Sequence, residues 1–292
     1  MVVLSLISFF VQSLNFGIDF RGGTSIRTES SEPINVAAYR NALSSLDLGD
    51  ITISEVFDPS FEDNQNVAMI RIQAQPGQEA ATSILVENSL QKLKEVNEDI
   101  KFVSVESVGP KVSGELIRTA IIAVVLAISA VLFYIWIRFE WQFAVGAISA
   151  LIHDVILTIG VFSLLQIKFD LAIIAAILTI VGYSLNDTVV VFDRVRENLR
   201  KFKKRSLIEV MNLSINETMS RTVMTSVTTL LALISLFVLG GDVIRGFVFA
   251  MIWGVVVGTY SSIFIASAIL LWTGVKRDWS RSNAEAGTQV PQ

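Results

Sequence analysis

Val181-Gly182-Tyr183-Ser184-Leu185-Asn186-Asp187-Thr188-Val189-Val190-Val191-Phe192 closes an apolar run that begins near residue 173. About 20 such residues make a helix of about 30 Å, the thickness of bilayer hydrocarbon. Asp187 nevertheless lies inside the run, flanked by Asn186 and Thr188. A carboxylate in hydrocarbon is costly, so it is paired, hydrated or protonated, and by default it marks a functional path. His153 and Asp154 repeat the pattern in a second apolar run. The chain reads as a membrane protein with a polar path through its interior, which points to transport.

Working outward, five stretches are long enough to span: 116–137, 141–165, 170–192, 221–240 and 246–272. With 52% hydrophobic residues over 292, the composition exceeds that of an ordinary soluble domain. A sixth apolar stretch opens the chain, and residues 1–16 are too short to span alone. They lack the basic flank and small-residue cleavage site of a signal peptide. The reading is a first transmembrane helix, truncated on its cytoplasmic side, giving six in total.

Residues 17–115 carry 16 acidic and 8 basic side chains, against 11 and 15 in the remainder. This acidic part reads as a soluble domain inserted between helices 1 and 2. Strands are expected at 24–28, 51–57, 67–72 and 101–105, and helices at 36–46 and 79–96, with a turn-rich connector at 58–65. The order β-α-β-β-α-β is that of a small α+β, ferredoxin-like unit. Residues 107–114, with Gly109, Pro110 and Gly114, read as a hinge to the second helix.

Basic residues in short loops set orientation. The segment 193–220, read as a connector, holds Arg194, Arg196, Arg200, Lys201, Lys203, Lys204 and Arg205. Arg138, Lys276 and Arg277 fall on the same side, which is therefore cytoplasmic, and residues 17–115 face the periplasm. Phe133, Tyr134, Trp136, Phe139, Trp141 and Phe143 around Arg138 read as an aromatic belt. The basic cluster 201–205 touches anionic lipid of the bilayer rather than nucleic acid. Residues 116–272 form the membrane domain, and 273–292 read as a disordered cytoplasmic tail.

Each polar residue within a span carries two readings. Asp187, about five residues from the expected helix end, is a snorkelling carboxylate or a proton or ion site. His153 and Asp154 lie near mid-span, as structural hydrogen-bonding groups or relay members. They point about 100° apart and are not expected to share a partner. Arg221 is a positive-inside anchor or the partner of a carboxylate. Thr222, Thr225, Ser226 and Thr229 line a hydrated path or allow close packing. Gly246, Ala250, Gly254, Gly258, Ser262 and Ala266 form a stripe of small residues for close helix contact, within the chain or with another.

Cysteine is absent and histidine occurs once, so neither a disulfide nor a metal centre is expected. No phosphate-binding loop, nucleophile elbow or zinc-protease pattern is present. The chain is read as no enzyme, with no cofactor and no ATP hydrolysis. Any work comes from an ion gradient or a partner.

Four stretches together resemble the SecD/SecF family of bacterial protein-export membrane subunits, within the resistance-nodulation-division superfamily. They are Leu14–Thr24, His153-Asp154, Val181–Asn198 and Ser220–Ser226. The resemblance covers nearly the whole chain and departs at the N-terminus, where the family has a full first helix after a basic segment. It implies a subunit of the inner membrane working with SecD, with the SecYEG channel and its accessory subunits, and with translocating unfolded polypeptide. It further implies use of the proton-motive force at a late, periplasmic stage of export. Asp187 and Arg221 fall at family positions associated with proton passage, with Asp154, His153, Asn186 and Thr225 as candidate neighbours. Two other functions stay open: a half-transporter of the superfamily exporting small molecules or lipids, and a non-conducting assembly subunit. The small external domain argues against the first, and the intramembrane carboxylates against the second.

Overall fold

A computed structural model of the chain describes residues 1–46, 48–56, 58, 61, 64–73 and 83–275. It divides into two compact units, one of Met1–Ile128, Ile156–Thr179 and Leu230–Trp253, the other of Ser129–Val155, Ile180–Thr229 and Gly254–Gln292.

The first unit opens with helix α1 (Val2–Gln12), the short strand β1 (Asn15–Phe16) and one turn of helix, α2 (Ile18–Arg21). The chain then enters a four-stranded sheet through Gly22 and Gly23, whose φ values are 72° and 132°. Only glycine takes such angles without strain, which accounts for the pair at this junction. Strand β2 (Gly23–Ser30), helix α3 (Val36–Ser44), strands β3 (Ile51–Val56) and β4 (Asn66–Gln73), helix α4 (Ser83–Lys94) and strand β5 (Lys101–Val108) follow. The antiparallel sheet has the order β3-β4-β2-β5. Alternation along the strands sends Ile26, Ile53, Ile70 and Ile72 into one core with Tyr39 and Leu43 of α3 and Leu93 of α4. Residues 79–82, expected as the first turn of α4, and much of the connector 58–65 lie outside the described residues.

Helix α5 (Pro110–Arg138) starts two residues after β5 ends, so only Gly109 separates them. Ser113 Oγ donates to the Phe20 carbonyl at 3.0 Å. Residues 107–114, expected as a hinge, are thus a strand end, Gly109 and a helix start.

Helix α6 (Trp141–Leu165) leads to strand β6 (Lys168–Phe169), which pairs in parallel with β1. This two-residue ladder was not foreseen. Around it, Phe16, Phe20, Phe162 and Phe169 pack with ring centroids 5.7–6.1 Å apart. Gly17 runs so close that a Cβ there would meet the Lys168 side chain at 2.8 Å. Asp19 Oδ2 accepts the backbone N–H of Leu171, the first residue of helix α7 (Leu171–Lys201), at 3.1 Å. A carboxylate there satisfies an orphan donor and complements the helix dipole. We expect Asp19→Ala to lower stability by about 0.5–2 kcal/mol, read as a lower midpoint of thermal unfolding in detergent; an unchanged midpoint would remove Asp19 from this role.

Helix α8 (Leu207–Leu239) follows α7 after five residues. The segment 193–220 is therefore mostly helix, and not the connector expected. Its charges mask a periodic apolar face: Val195, Leu199, Val210 and Met211 are buried in the core of the second unit. The same correction moves Asp187, which lies 14 residues before the end of its helix, or about 21 Å at 1.5 Å per residue. The final candidate span comprises α9 (Asp242–Tyr260), a π-helical segment (Ser261–Ile265) and α10 (Ala266–Thr273). Among the described residues five helices, α5 to α8 and the composite last one, are long and apolar enough to cross a membrane; Val2–Gln12 is shorter. Lys276, Arg277 and the rest of the tail lie outside the described residues.

The core of the second unit centres on Phe139, Phe143 and Phe192, whose ring centroids lie 5.2–6.1 Å apart. Small residues on α6, Ala144, Ala147 and Ala150, let neighbouring helices approach. The aromatic cluster expected as a belt therefore splits. Phe139 and Phe143 are core, whereas Phe133, Tyr134, Trp136 and Trp141 are exposed.

Candidate functional site

The polar residues of the second unit gather where α6, α7 and the π-helical segment meet. Asp154 on α6 is buried, with 1% exposure. Its Oδ2 accepts the hydroxyls of Ser184, at 2.7 Å, and Ser261, at 2.8 Å. Its Oδ1 lies 3.1 Å from His153 Nδ1. The two neighbours thus contact each other directly. His153 is half-buried, with its ring 6.4 Å from that of Tyr260.

One turn on, the Thr188 and Ser262 hydroxyls lie 2.9 Å apart, and each is 3.0 Å from the Ser184 carbonyl. A second hydroxyl chain runs from Tyr183 through Ser226, at 3.3 Å, to Thr259, at 2.7 Å. In an apolar setting each such group needs a partner, because an unmet hydroxyl forfeits its lost hydration.

Asp187 departs from that rule. It is 3% exposed, and its Oδ2 is buried without a hydrogen-bond partner. The Thr222 hydroxyl is likewise buried and unmet. Arg221 is the charged group that acts electrostatically on Asp187, while its own side chain is exposed. A buried carboxylate near one cation, with an oxygen left open, has an acceptor free for a proton or an ion.

The remaining candidates divide. Asn186 is exposed and belongs to neither network. Thr225 spends its hydroxyl on its own helix, 3.1 Å from the Arg221 carbonyl and 2.9 Å from that of Thr222. The small-residue stripe faces α7 of the same chain. A Cβ on Gly246 would touch Ile173 at 3.6 Å, one on Gly254 would run into Ile180, and one on Gly258 would come 3.1 Å from Ser184 Cβ. Ala250 is fully buried. Sequence reasoning missed Ser184, Thr188, Ser261 and Thr259 as network members. The available signal was their spacing: Ser184 and Thr188 lie four apart on α7, so they share a face. Among the described residues no cluster of three His, Asp or Glu is placed to hold a metal ion.

Comparison with known proteins gives consistent results. The family model "Protein export membrane protein SecD/SecF, C-terminal" matches residues 88–276, and the SecD/SecF GG motif model matches residues 7–34. The chain is 60% identical over 289 residues to a protein translocase subunit SecF of Cereibacter sphaeroides, covering 99% of this chain and 89% of that one. A protein of the same name from Rhodobacter capsulatus is 58% identical over 284 residues, covering 95% and 85%. Among solved structures, SecDF of Thermus thermophilus, a translocon-associated membrane protein, is 36% identical with a TM-score of 0.80 over 93% of this chain. SecDF in its super-membrane-facing form gives 36% and a TM-score of 0.67 over 98% of this chain. The chain spans only 36% and 37% of those two solved chains.

Proposed function

The chain belongs to the SecD/SecF family of protein-export membrane proteins, and from that premise we propose that it couples the proton-motive force to the late stage of Sec-dependent export. In this reading it is a multi-pass subunit of the bacterial inner membrane, with α1 as the outer part of a sixth span. The β-α-β-β-α-β unit is a ferredoxin-like domain on the periplasmic face. SecD completes the membrane unit, and the SecYEG channel delivers the unfolded polypeptide on which the pair acts. The observation that carries the reading is the open oxygen of Asp187, buried beside the charge of Arg221. The site residues are Asp187 and Arg221, with Asp154 and His153 holding the adjoining polar network.

The test separates the two roles of Arg221. In cells depleted of the native subunit, release of a secreted protein is followed with the gradient intact and collapsed. Arg221→Ala is expected to lose most of the gradient-dependent component. Arg221→Lys is expected to keep part of it, because an ammonium group supplies charge without the planar fork. Full activity in both variants would reduce Arg221 to an anchor and overturn the proposed coupling site. Unchanged export on depletion would overturn the export role itself.

A further inference from the structure

Helices α7 and α8 run antiparallel, and three contacts fix their register within the second unit. Asn198 Nδ2 donates to Ser214 Oγ at 3.0 Å, Arg194 Nε to Glu217 Oε2 at 2.6 Å, and Tyr183 OH to Ser226 Oγ at 3.3 Å. Each step back along α7 is met by a step forward along α8. Asp187 lies one turn after Tyr183, and Thr222 one turn before Ser226. The register therefore sets Thr222 opposite Asp187. Both are on buried faces, Asp187 with 3% and Thr222 with 1% exposure. Asp187 Oδ2 and Thr222 Oγ1 are both buried, and both lack a hydrogen-bond partner.

The Thr222 hydroxyl also breaks the habit of its own helix. Ser214, Thr218, Thr225, Ser226, Thr228 and Ser235 each donate to the carbonyl four residues back, at 2.7–3.1 Å. That bond is within reach of any helical serine or threonine, and Thr222 does not make it. An unmet buried hydroxyl and an unmet buried carboxylate oxygen are complementary, because the first donates and the second accepts. We propose that Thr222 is a positioning residue of the proton site. Its hydroxyl donates to Asp187 Oδ2 while the carboxylate is ionised, and turns back to the Thr218 carbonyl once Asp187 carries a proton. The exchange needs rotation about one side-chain bond and no movement of either helix. It rests on the reading of Asp187 as the coupling carboxylate. The charged groups around it are Arg221 on α8, which acts on Asp187, and the His153–Asp154 pair on α6, which is engaged with Ser184 and Ser261. Arg138 of α5 is paired with Asp193 further along α7. Residues 254–273 of the last span carry no charge.

The test compares Thr222→Val, which keeps the branched shape and removes the hydroxyl, with Thr222→Ser, which keeps the hydroxyl. Gradient-dependent export from spheroplasts is expected to fall about tenfold in Thr222→Val, the scale of one hydrogen bond to a charged group, and to stay within about twofold of wild type in Thr222→Ser. The thermal midpoint of the full chain, with its co-purified partner subunit in detergent, is expected to be unchanged or higher in Thr222→Val, because a buried unmet hydroxyl has been removed. A lower midpoint together with lost export would make Thr222 a packing residue and overturn the proposal. Wild-type export in Thr222→Val would also overturn it. Infrared difference spectra of the same preparation, between acidic and alkaline buffer, read the contact itself. The bands that Asp187→Asn removes belong to Asp187. In Thr222→Val the ionised-carboxylate band is expected to shift while the protonated C=O band stays, and Thr222→Ser is expected to restore the wild-type position. A carboxylate band that stays in place in Thr222→Val would overturn the role of Thr222 and leave the coupling reading intact. No band lost in Asp187→Asn would mean that Asp187 does not titrate, which overturns the coupling reading and the role of Thr222 with it.

Discussion

Asp187→Asn is expected to abolish gradient-dependent export, by tenfold or more, while protein level and complex assembly stay normal. The carboxamide has the volume of the carboxylate, so the buried site keeps its packing. It does not take up a proton at physiological pH, and the open Oδ2 is replaced by a group that cannot be charged. Arg221 then faces no carboxylate. The measurement is release of an exported protein from spheroplasts or inverted vesicles, with and without the gradient. Wild-type rates in the Asn variant would overturn the assignment. Asp154→Asn provides the contrast, because the Asp154 oxygens already have partners in Ser184, Ser261 and His153.

Gly254→Leu is expected to prevent normal accumulation of the chain. Even a bare Cβ at Gly254 would run into the side chain of Ile180, itself buried. Overpacking a tight contact costs about 1–3 kcal/mol, occasionally more, and here both backbones belong to long helices that cannot step aside. Gly258→Ala is milder, since its Cβ would press on Ser184 only at 3.1 Å. Gly182 on α7 is the control: nothing lies within 4 Å of a Cβ there, so Gly182→Ala is expected to be silent for folding. Steady-state level and the thermal midpoint in detergent report the series. Equal values for Gly254→Leu and the wild type would mean that the stripe is not a packed contact.

The spans were legible because apolar runs of 20 residues have one reading, and the strands because alternation and turn residues coincided along residues 24–108. The ends were not. Beyond Phe192 the charges of Arg194, Arg196, Arg200 and Lys201 dominate the composition, and they hid the buried Val195 and Leu199 that continue the helix. The β1–β6 ladder is two residues long, too short for any periodicity, and joins segments some 150 residues apart. The site was half legible. Ionisable groups in apolar runs stand out by their cost, which brought forward Asp154, Asp187 and Arg221. Serine and threonine in the same runs read equally as packing residues. Only the fold distinguishes Ser184, aimed at Asp154, from Thr225, turned back on its own helix.

The π-helical segment resolves a phase problem in the last span. Small residues every fourth position in an α-helix with 3.6 residues per turn drift by about 40° per step. Over Gly246, Ala250, Gly254, Gly258, Ser262 and Ala266 that drift would carry the later members away from α7. A π turn takes up one residue more per hydrogen bond than an α turn, so it winds the chain back. Placed at Ser261–Ile265, it keeps Ser262 on Thr188 of α7 and turns Ser261 onto Asp154 of α6, where the Ala266 carbonyl oxygen also lies 3.0 Å from where a Gly146 Cβ would sit. The last helix therefore has a built-in vernier. Relaxing those five residues to α geometry would advance the segment by one position, withdraw two hydroxyls from the buried polar layer together, and leave the Gly254 contact upstream undisturbed.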